Sequence, residues 1–234
     1  MLNARRLLTT LLCAVLACSA VSAQENEPAG QWSANISFAN RSVWRGFLDA
    51  GAASFADATY SRGPWEFCVA TEIELSPVER QRLTEVDLYV TRRVKLEPHW
   101  SLAAGYNYYG TPQEEYEHAH EFWSGIEYSG AVDLSLKAYQ FAVPHTGSYF
   151  SAAAGRKIFS RGRFSVKGDA ALGFNRHMTI EHSGFSDAAF TLTPALRVSR
   201  GSIAPFVGYL KGLDKRYFDD YAFFGLKYAI GAQD

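Results

Sequence analysis

The chain has 234 residues, with 23 basic and 24 acidic side chains and a formal net charge of −1, a balance that excludes a nucleic-acid binder acting through a basic face. Aromatics make up 15% of the residues and glycine contributes 19, yet no apolar run beyond residue 23 is long enough for a transmembrane helix. Of three cysteines, Cys13 and Cys18 lie in the leader described next, so Cys68 alone remains and an internal disulfide is excluded.

Residues 1–23 read as a signal peptide. Arg5 and Arg6 form the positive n-region, residues 7–17 an apolar core too short to span a bilayer, and Val21-Ser22-Ala23 a small-residue cleavage site. The mature chain then starts at Gln24 and carries 21 basic against 24 acidic residues. A rival cut at Val15-Leu16-Ala17-Cys18 would make Cys18 a lipidated terminus, but Leu16 directly before Ala17 fits that motif poorly. Residues 24–31 (QENEPAGQ) read as a polar periplasmic lead-in and 32–234 as a single barrel domain. An exported, aromatic-rich chain of this kind is either a soluble β domain or an outer-membrane barrel.

Period-two alternation dominates from there on. The first predicted strand, 32–46, reads WSANISFANRSVWRG. Trp32, Ile36, Phe38 and Trp44 share one parity, whereas Arg41 and Arg45 share the other. Twelve positions at about 3.3 Å, tilted by about 40°, set the two tryptophans roughly 30 Å apart along the membrane normal. Trp32 is therefore expected at the inner aromatic girdle and Trp44 at the outer one, with Arg45 facing the lumen. A weak Ala/Gly/Ser-rich strand follows at 51–60. In 65–75, Trp65, Phe67, Val69 and Ile73 oppose Glu66, Cys68, Glu72 and Glu74. In 83–96, Val86, Leu88, Val90 and Val94 oppose Glu85, Asp87, Arg93 and Lys95, and Arg92 interrupts the apolar face.

Further strands are predicted at 100–110, 119–129, 132–143, 148–159, 163–174, 186–199, 203–211 and 219–230, twelve in all. They add the inward candidates Glu121, Glu127, Lys137, Lys167, Asp169, Asp187, Arg197 and Lys227, and Trp65 and Trp100 join the girdle candidates. The outer face of 203–211 is ambiguous, because Ile203/Pro205/Val207/Tyr209 and Ala204/Phe206/Leu210 are both apolar.

The connections separate the two barrel types. SRGP, EPH, SGA, SRG and RGS are tight turns, and between them come the longer polar segments SPVERQR, TPQEEYEHA, NRHMTIEHSG and KGLDKRYF, with only PHTG short on that side. An up-and-down outer-membrane barrel has short periplasmic turns and long outer loops, whereas a soluble sandwich has no reason to sort loop length by parity. The fold class expected is thus all-β, a transmembrane antiparallel barrel of about 12 strands. Its polar inner face is either a narrow watery passage or an interior closed by salt-bridge networks. Near the C-terminus, Gly225, Tyr228 and Ile230 follow the spacing of the β-signal through which the barrel assembly machinery pairs with a last strand. Phe223 at the usual polar position and the trailing GAQD depart from it.

Catalytic chemistry finds little purchase. His118 and His120 sit beside Glu114, Glu115, Glu117 and Glu121, a grouping read as a solvated acidic loop rather than a metal site. His145, Ser148, His177, His182 and Ser183 reproduce no lipid A deacylase or phospholipase spacing. No enzyme, cofactor or metal is expected.

ISFANRSVWRGF resembles the first strand of the TorF-type porin family, through Val43-Trp44-Arg45-Gly46. The segments at 84–90, 103–110, 147–155, 184–196 and 219–231 resemble its later strands in order. Where the family usually has SDYVWRG, this chain has ANRSVWRG, without the acidic step. The resemblance implies an exported bacterial outer-membrane barrel of porin type, with no assigned solute or catalytic residue. The expected function is passive diffusion of small hydrophilic solutes or ions. The alternatives are a non-conducting structural or ligand-binding barrel and, more distantly, a lipid-modifying enzyme. The expected partners are outer-membrane lipids, the assembly machinery and the solutes.

Overall fold

The computed structural model describes residues 30–75, 84–110, 118–143, 146–178, 180–181 and 183–231. The signal peptide, Cys18 and most of the lead-in lie outside them. Fourteen strands lie among the described residues: β1 (Gln31–Ala39), β2 (Ser42–Trp44), β3 (Phe47–Ala50), β4 (Ala53–Arg62), β5 (Trp65–Glu74), β6 (Thr84–Lys95), β7 (Trp100–Gly110), β8 (Ala119–Tyr128), β9 (Asp133–Val143), β10 (Ser148–Arg161), β11 (Phe164–Arg176), β12 (Ser183–Val198), β13 (Gly201–Gly212) and β14 (Tyr221–Gly231). Twelve of them form one closed antiparallel barrel in sequence order, with β1 pairing both β4 and β14. Closure leaves no edge, so every backbone group of the wall can pair inside hydrocarbon.

Side-chain parity gives the wall two chemistries. Ile36 and Phe38 on β1, Phe67 and Val69 on β5, Leu88 on β6, Leu134 and Leu136 on β9, Phe190 and Leu192 on β12, and Phe224 and Leu226 on β14 all stand exposed on the outside. An apolar belt around the whole circumference is stable only against lipid. On β13 the outward set is Ile203, Val207 and Tyr209, while Ala204 and Leu210 are buried within, which resolves the ambiguous parity. A bulge between Lys157 and Phe159 on β10 lets Ile158 and Phe159 both face outward.

Trp32, Trp65 and Trp100 lie at the short-turn end, exposed and packed on Tyr60, Phe67 and Tyr128 respectively. Arg92, the basic residue on the apolar face of β6, is cross-strand from Trp65, with its guanidinium 5.0 Å from the ring centroid. It lies at the same end of the barrel, where the ring face gives the cation a partner on an otherwise apolar wall.

The first predicted strand is not one strand. β1 stops at Ala39, Asn40 bonds to Phe224 of β14 through both its backbone amide and its side chain, and residues 42–50 form a separate two-stranded hairpin. Trp44 is consequently not on the lipid face. At the loop end, outward aromatics come from Tyr106 and Phe122, with ring centroids 5.3 Å apart, and from Phe174 and Phe185 at 5.5 Å.

Candidate functional site: a hairpin inside the barrel

The hairpin β2–β3 turns through Arg45 and Gly46, both at positive φ (48° and 93°). Two consecutive left-handed residues make the tight turn whose twist matches paired strands. Arginine is uncommon in that conformation, and what holds it there is tertiary. The hairpin packs into the lumen, where the Arg45 guanidinium forms a two-pronged ion pair with Glu121 of β8, Nη2 donating to Oε1 at 3.0 Å and Nη1 to Oε2. Glu121 has no solvent-accessible surface. It also accepts from Asn107 Nδ2 at 2.8 Å and from the Tyr109 hydroxyl at 3.0 Å. Around the guanidinium lie the rings of Tyr139 at 4.2 Å, Trp44 at 4.5 Å and Tyr149 at 4.9 Å. Each ring face adds about 0.5–2 kcal/mol when desolvated. The Tyr149 hydroxyl donates in turn to Asp187, which also accepts from Ser186 Oγ at 2.6 Å.

Trp44 therefore does the opposite of what its parity predicts. It packs edge-on to Tyr109 (6.2 Å) and Phe141 (6.0 Å), against the buried cluster of Phe141, Tyr149 and Met178. Period two holds equally for a wall strand and for an inturned hairpin, so alternation alone cannot distinguish them. The two-residue turn at Arg45-Gly46 is the one local signal, and it lacks the asparagine or aspartate that usually marks it.

Gly46 completes the V-W-R-G element. A Cβ there would stand 2.7 Å from Phe218 Cδ1, and Phe218, carried by the loop after β13, is fully buried and packs on Phe47. Gly46→Ala is expected to displace the hairpin, because left-handed strain of about 1–3 kcal/mol adds to that collision. Faster hydrogen exchange of amides 42–50, with an unchanged barrel transition, would show it. Gly162→Ala is the control, since Gly162 has φ 58° but open space around it.

The charged candidates sort by position. Glu66, Glu72, Glu74, Glu85, Asp87, Arg93, Lys95, Glu121, Glu127, Lys137, Lys167, Asp169, Asp187, Arg197 and Lys227 all have the inward parity of their strands. Arg41, in the β1–β2 connection, donates to the Ala222 carbonyl at 3.1 Å. They do not form one site. Toward the short-turn end Glu127 bridges Arg93 (2.9 Å) and Lys137 (3.0 Å), and Lys167 meets Asp169 (2.8 Å). Toward the loop end Asp49, Glu72, Glu85 and Asp87 gather beside the hairpin, in a cavity of about 640 Å³ also lined by Arg41, Tyr89 and Phe223. Asp49 was missed by the sequence reading, because only the inward fold of β3 brings it to this wall.

The histidine grouping does not assemble. His120 bonds to Tyr106 at 2.6 Å on the outward parity and His118, just before β8, packs at a tilt on Tyr108, whereas Glu121 faces in. His145, His182, Glu114, Glu115 and Glu117 lie outside the described residues. Among the described residues no histidine is hydrogen-bonded to a serine hydroxyl. Gly225 has a packing reason independent of any assembly signal: a Cβ would lie 2.3 Å from the Phe206 ring.

No family model and no curated protein matches the chain. Solved structures with the same fold include a KdgM porin (5% identity, TM-score 0.61, covering 86% of this chain and 99% of that one) and a NanC porin (11%, 0.56, 86% and 100%). They also include LpxR from Salmonella typhimurium (10%, 0.55, 85% and 99%). At these identities the likeness shows the fold alone, one shared by LpxR and by proteins described as porins.

Proposed function

We propose that this protein is a narrow bacterial outer-membrane channel for small hydrophilic solutes or ions, constricted by its own first outer loop. The observation that carries the reading is the β2–β3 hairpin, held in the lumen by the Arg45–Glu121 pair, with an acid-lined cavity left beside it. A barrel whose only task is to anchor in a membrane needs no such divided interior. The hairpin fills the β7–β10 side with aromatic packing and leaves the β4–β6 side polar, so a permeating ion passes Asp49, Glu72, Glu85 and Asp87. Like-signed charge along a confined path favours counter-ions, and the channel is cation-preferring. The export leader and lipid-facing wall fit insertion by the outer-membrane assembly machinery, and the V-W-R-G element fits the TorF-type porins.

Purified protein in planar bilayers is expected to give small, discrete, cation-selective conductance steps. A sealed bilayer over many confirmed insertions rejects the channel and leaves the barrel intact. The second reading, a non-conducting barrel, is favoured by one observation: Glu121, which holds the hairpin tip, has no solvent-accessible surface. The same recording separates the two.

A further inference from the structure

We infer that Asp49, Glu72 and Glu85 form a binding site for a divalent cation of calcium type, which ties the inturned hairpin to the barrel wall. One oxygen from each of the three carboxylates lies within 4.8 Å of the others. They come from three elements, Asp49 from β3, Glu72 from β5 and Glu85 from β6, and Glu72 and Glu85 are directly opposed across the β5–β6 ladder. Directly opposed like charges are unfavourable in a sheet, so the arrangement needs a compensating cation. Among the described residues none of the three, nor Asp87, has an ion-pair partner.

A second observation points to a ligand. Glu72 is only 8% exposed, yet its Oε1 is buried with no hydrogen-bond donor, and Asp87, 7% exposed on the neighbouring strand, has an orphaned Oδ1. An unsatisfied buried carboxylate oxygen is costly, and a metal ion is the partner that several converging oxygens share. The donors are all hard oxygens, which selects calcium or magnesium over softer metals. Calcium–oxygen distances of about 2.3–2.6 Å place ligands across the ion up to roughly 5 Å apart, whereas magnesium at about 2.1 Å brings them to roughly 4.2 Å. Oxygens within 4.8 Å of one another accommodate either ion, and calcium's flexible coordination asks the less exact geometry of them. Asp49 is exposed to the lumen, so the ion has a path in, and water completes the shell.

Binding of the ion does not require the barrel to conduct, so the test is separate from the channel reading. Calcium titrated calorimetrically into detergent-folded full-length protein is expected to show one saturable site per chain. Its affinity should fall roughly in the 10⁻⁴–10⁻³ M range of open carboxylate sites. Asp49→Asn and the double variant Glu72→Gln/Glu85→Gln are each expected to weaken it about tenfold or more, because each removes charged ligands. Glu127→Gln, which alters a carboxylate already paired with Arg93 and Lys137, should leave it unchanged. Asp49→Asn lies outside the barrel ladder, so its effect reports the site and not the fold. No saturable heat with the unmodified protein, or equal binding by both acid-site variants, overturns the assignment.

Discussion

Replacing Arg45 with alanine is expected to raise unit conductance several-fold while leaving the barrel's unfolding transition nearly where it was. The two halves of that result have separate causes. The hairpin is a sheet of its own and contributes no strand to the closed ladder, so losing its anchor removes none of the wall pairing. The anchor itself is a buried ion pair, and removing one partner of such a pair typically costs about 3–5 kcal/mol because the other charge is stranded. The molecule has a cheaper way out than keeping Glu121 dry beside an alanine. The hairpin can leave, water can enter, and Glu121 can be hydrated between Asn107 and Tyr109. The destabilisation is thus expressed as hairpin release, read as faster exchange of amides 42–50 together with larger steps in planar bilayers.

Glu121→Gln should do less. The amide keeps its bonds to Asn107 and Tyr109, and the Arg45 cation keeps its aromatic faces. A double-mutant cycle should return a coupling of about 0.5–3 kcal/mol in hairpin protection. Unchanged conductance in Arg45→Ala, with the hairpin demonstrably released, would mean that the hairpin does not lie on the permeation path.

The second large effect is on ion preference. Glu72→Lys/Glu85→Lys reverses two of the four carboxylates (Asp49, Glu72, Glu85, Asp87) in a cavity where Arg41 is the one lining cation among the described residues, a change of +4 at close quarters. A unit charge at 4 Å acts with roughly 1 kcal/mol in water and about 4 kcal/mol at the effective dielectric of a partly enclosed site. Reversing two of them is ample to abolish the cation preference, seen as a reversal potential moved to zero or past it in a potassium chloride gradient. The effect is best measured near 0.1 M salt, where screening extends over about 10 Å, and should fade near 1 M, where it extends over about 3 Å. Chelator in both compartments removes any contribution from a bound divalent ion. Lys167→Glu, at the opposite end of the lumen and already beside Asp169, should shift the potential less. An equal shift from both would relocate the selective zone to the short-turn end.

The barrel class, its twelve wall strands and the parity of the charged positions were legible in the sequence because each rests on a local rule. Alternation assigns a face residue by residue, and turn length assigns a side of the membrane connection by connection. Trp32, Trp65 and Trp100 obey those rules, and Arg92 becomes intelligible once its cross-strand neighbour Trp65 is known. Trp44 and Arg45 obey the same alternation and yet belong to no wall strand. Their place depends on Glu121, 76 positions away, on Tyr139 and Tyr149 further still, and on Phe218 arriving from the last outer loop.

A two-residue periodicity states which side chains share a face. It does not state what that face meets, because wall strand and inturned hairpin have the same period and differ only in contacts closed over long chain separations. By itself the sequence determined a lipid-facing barrel with a charged interior. Only the tertiary structure decided that the first outer loop lies within that interior and divides it, burying an arginine against one wall and drawing an aspartate to the carboxylates of another.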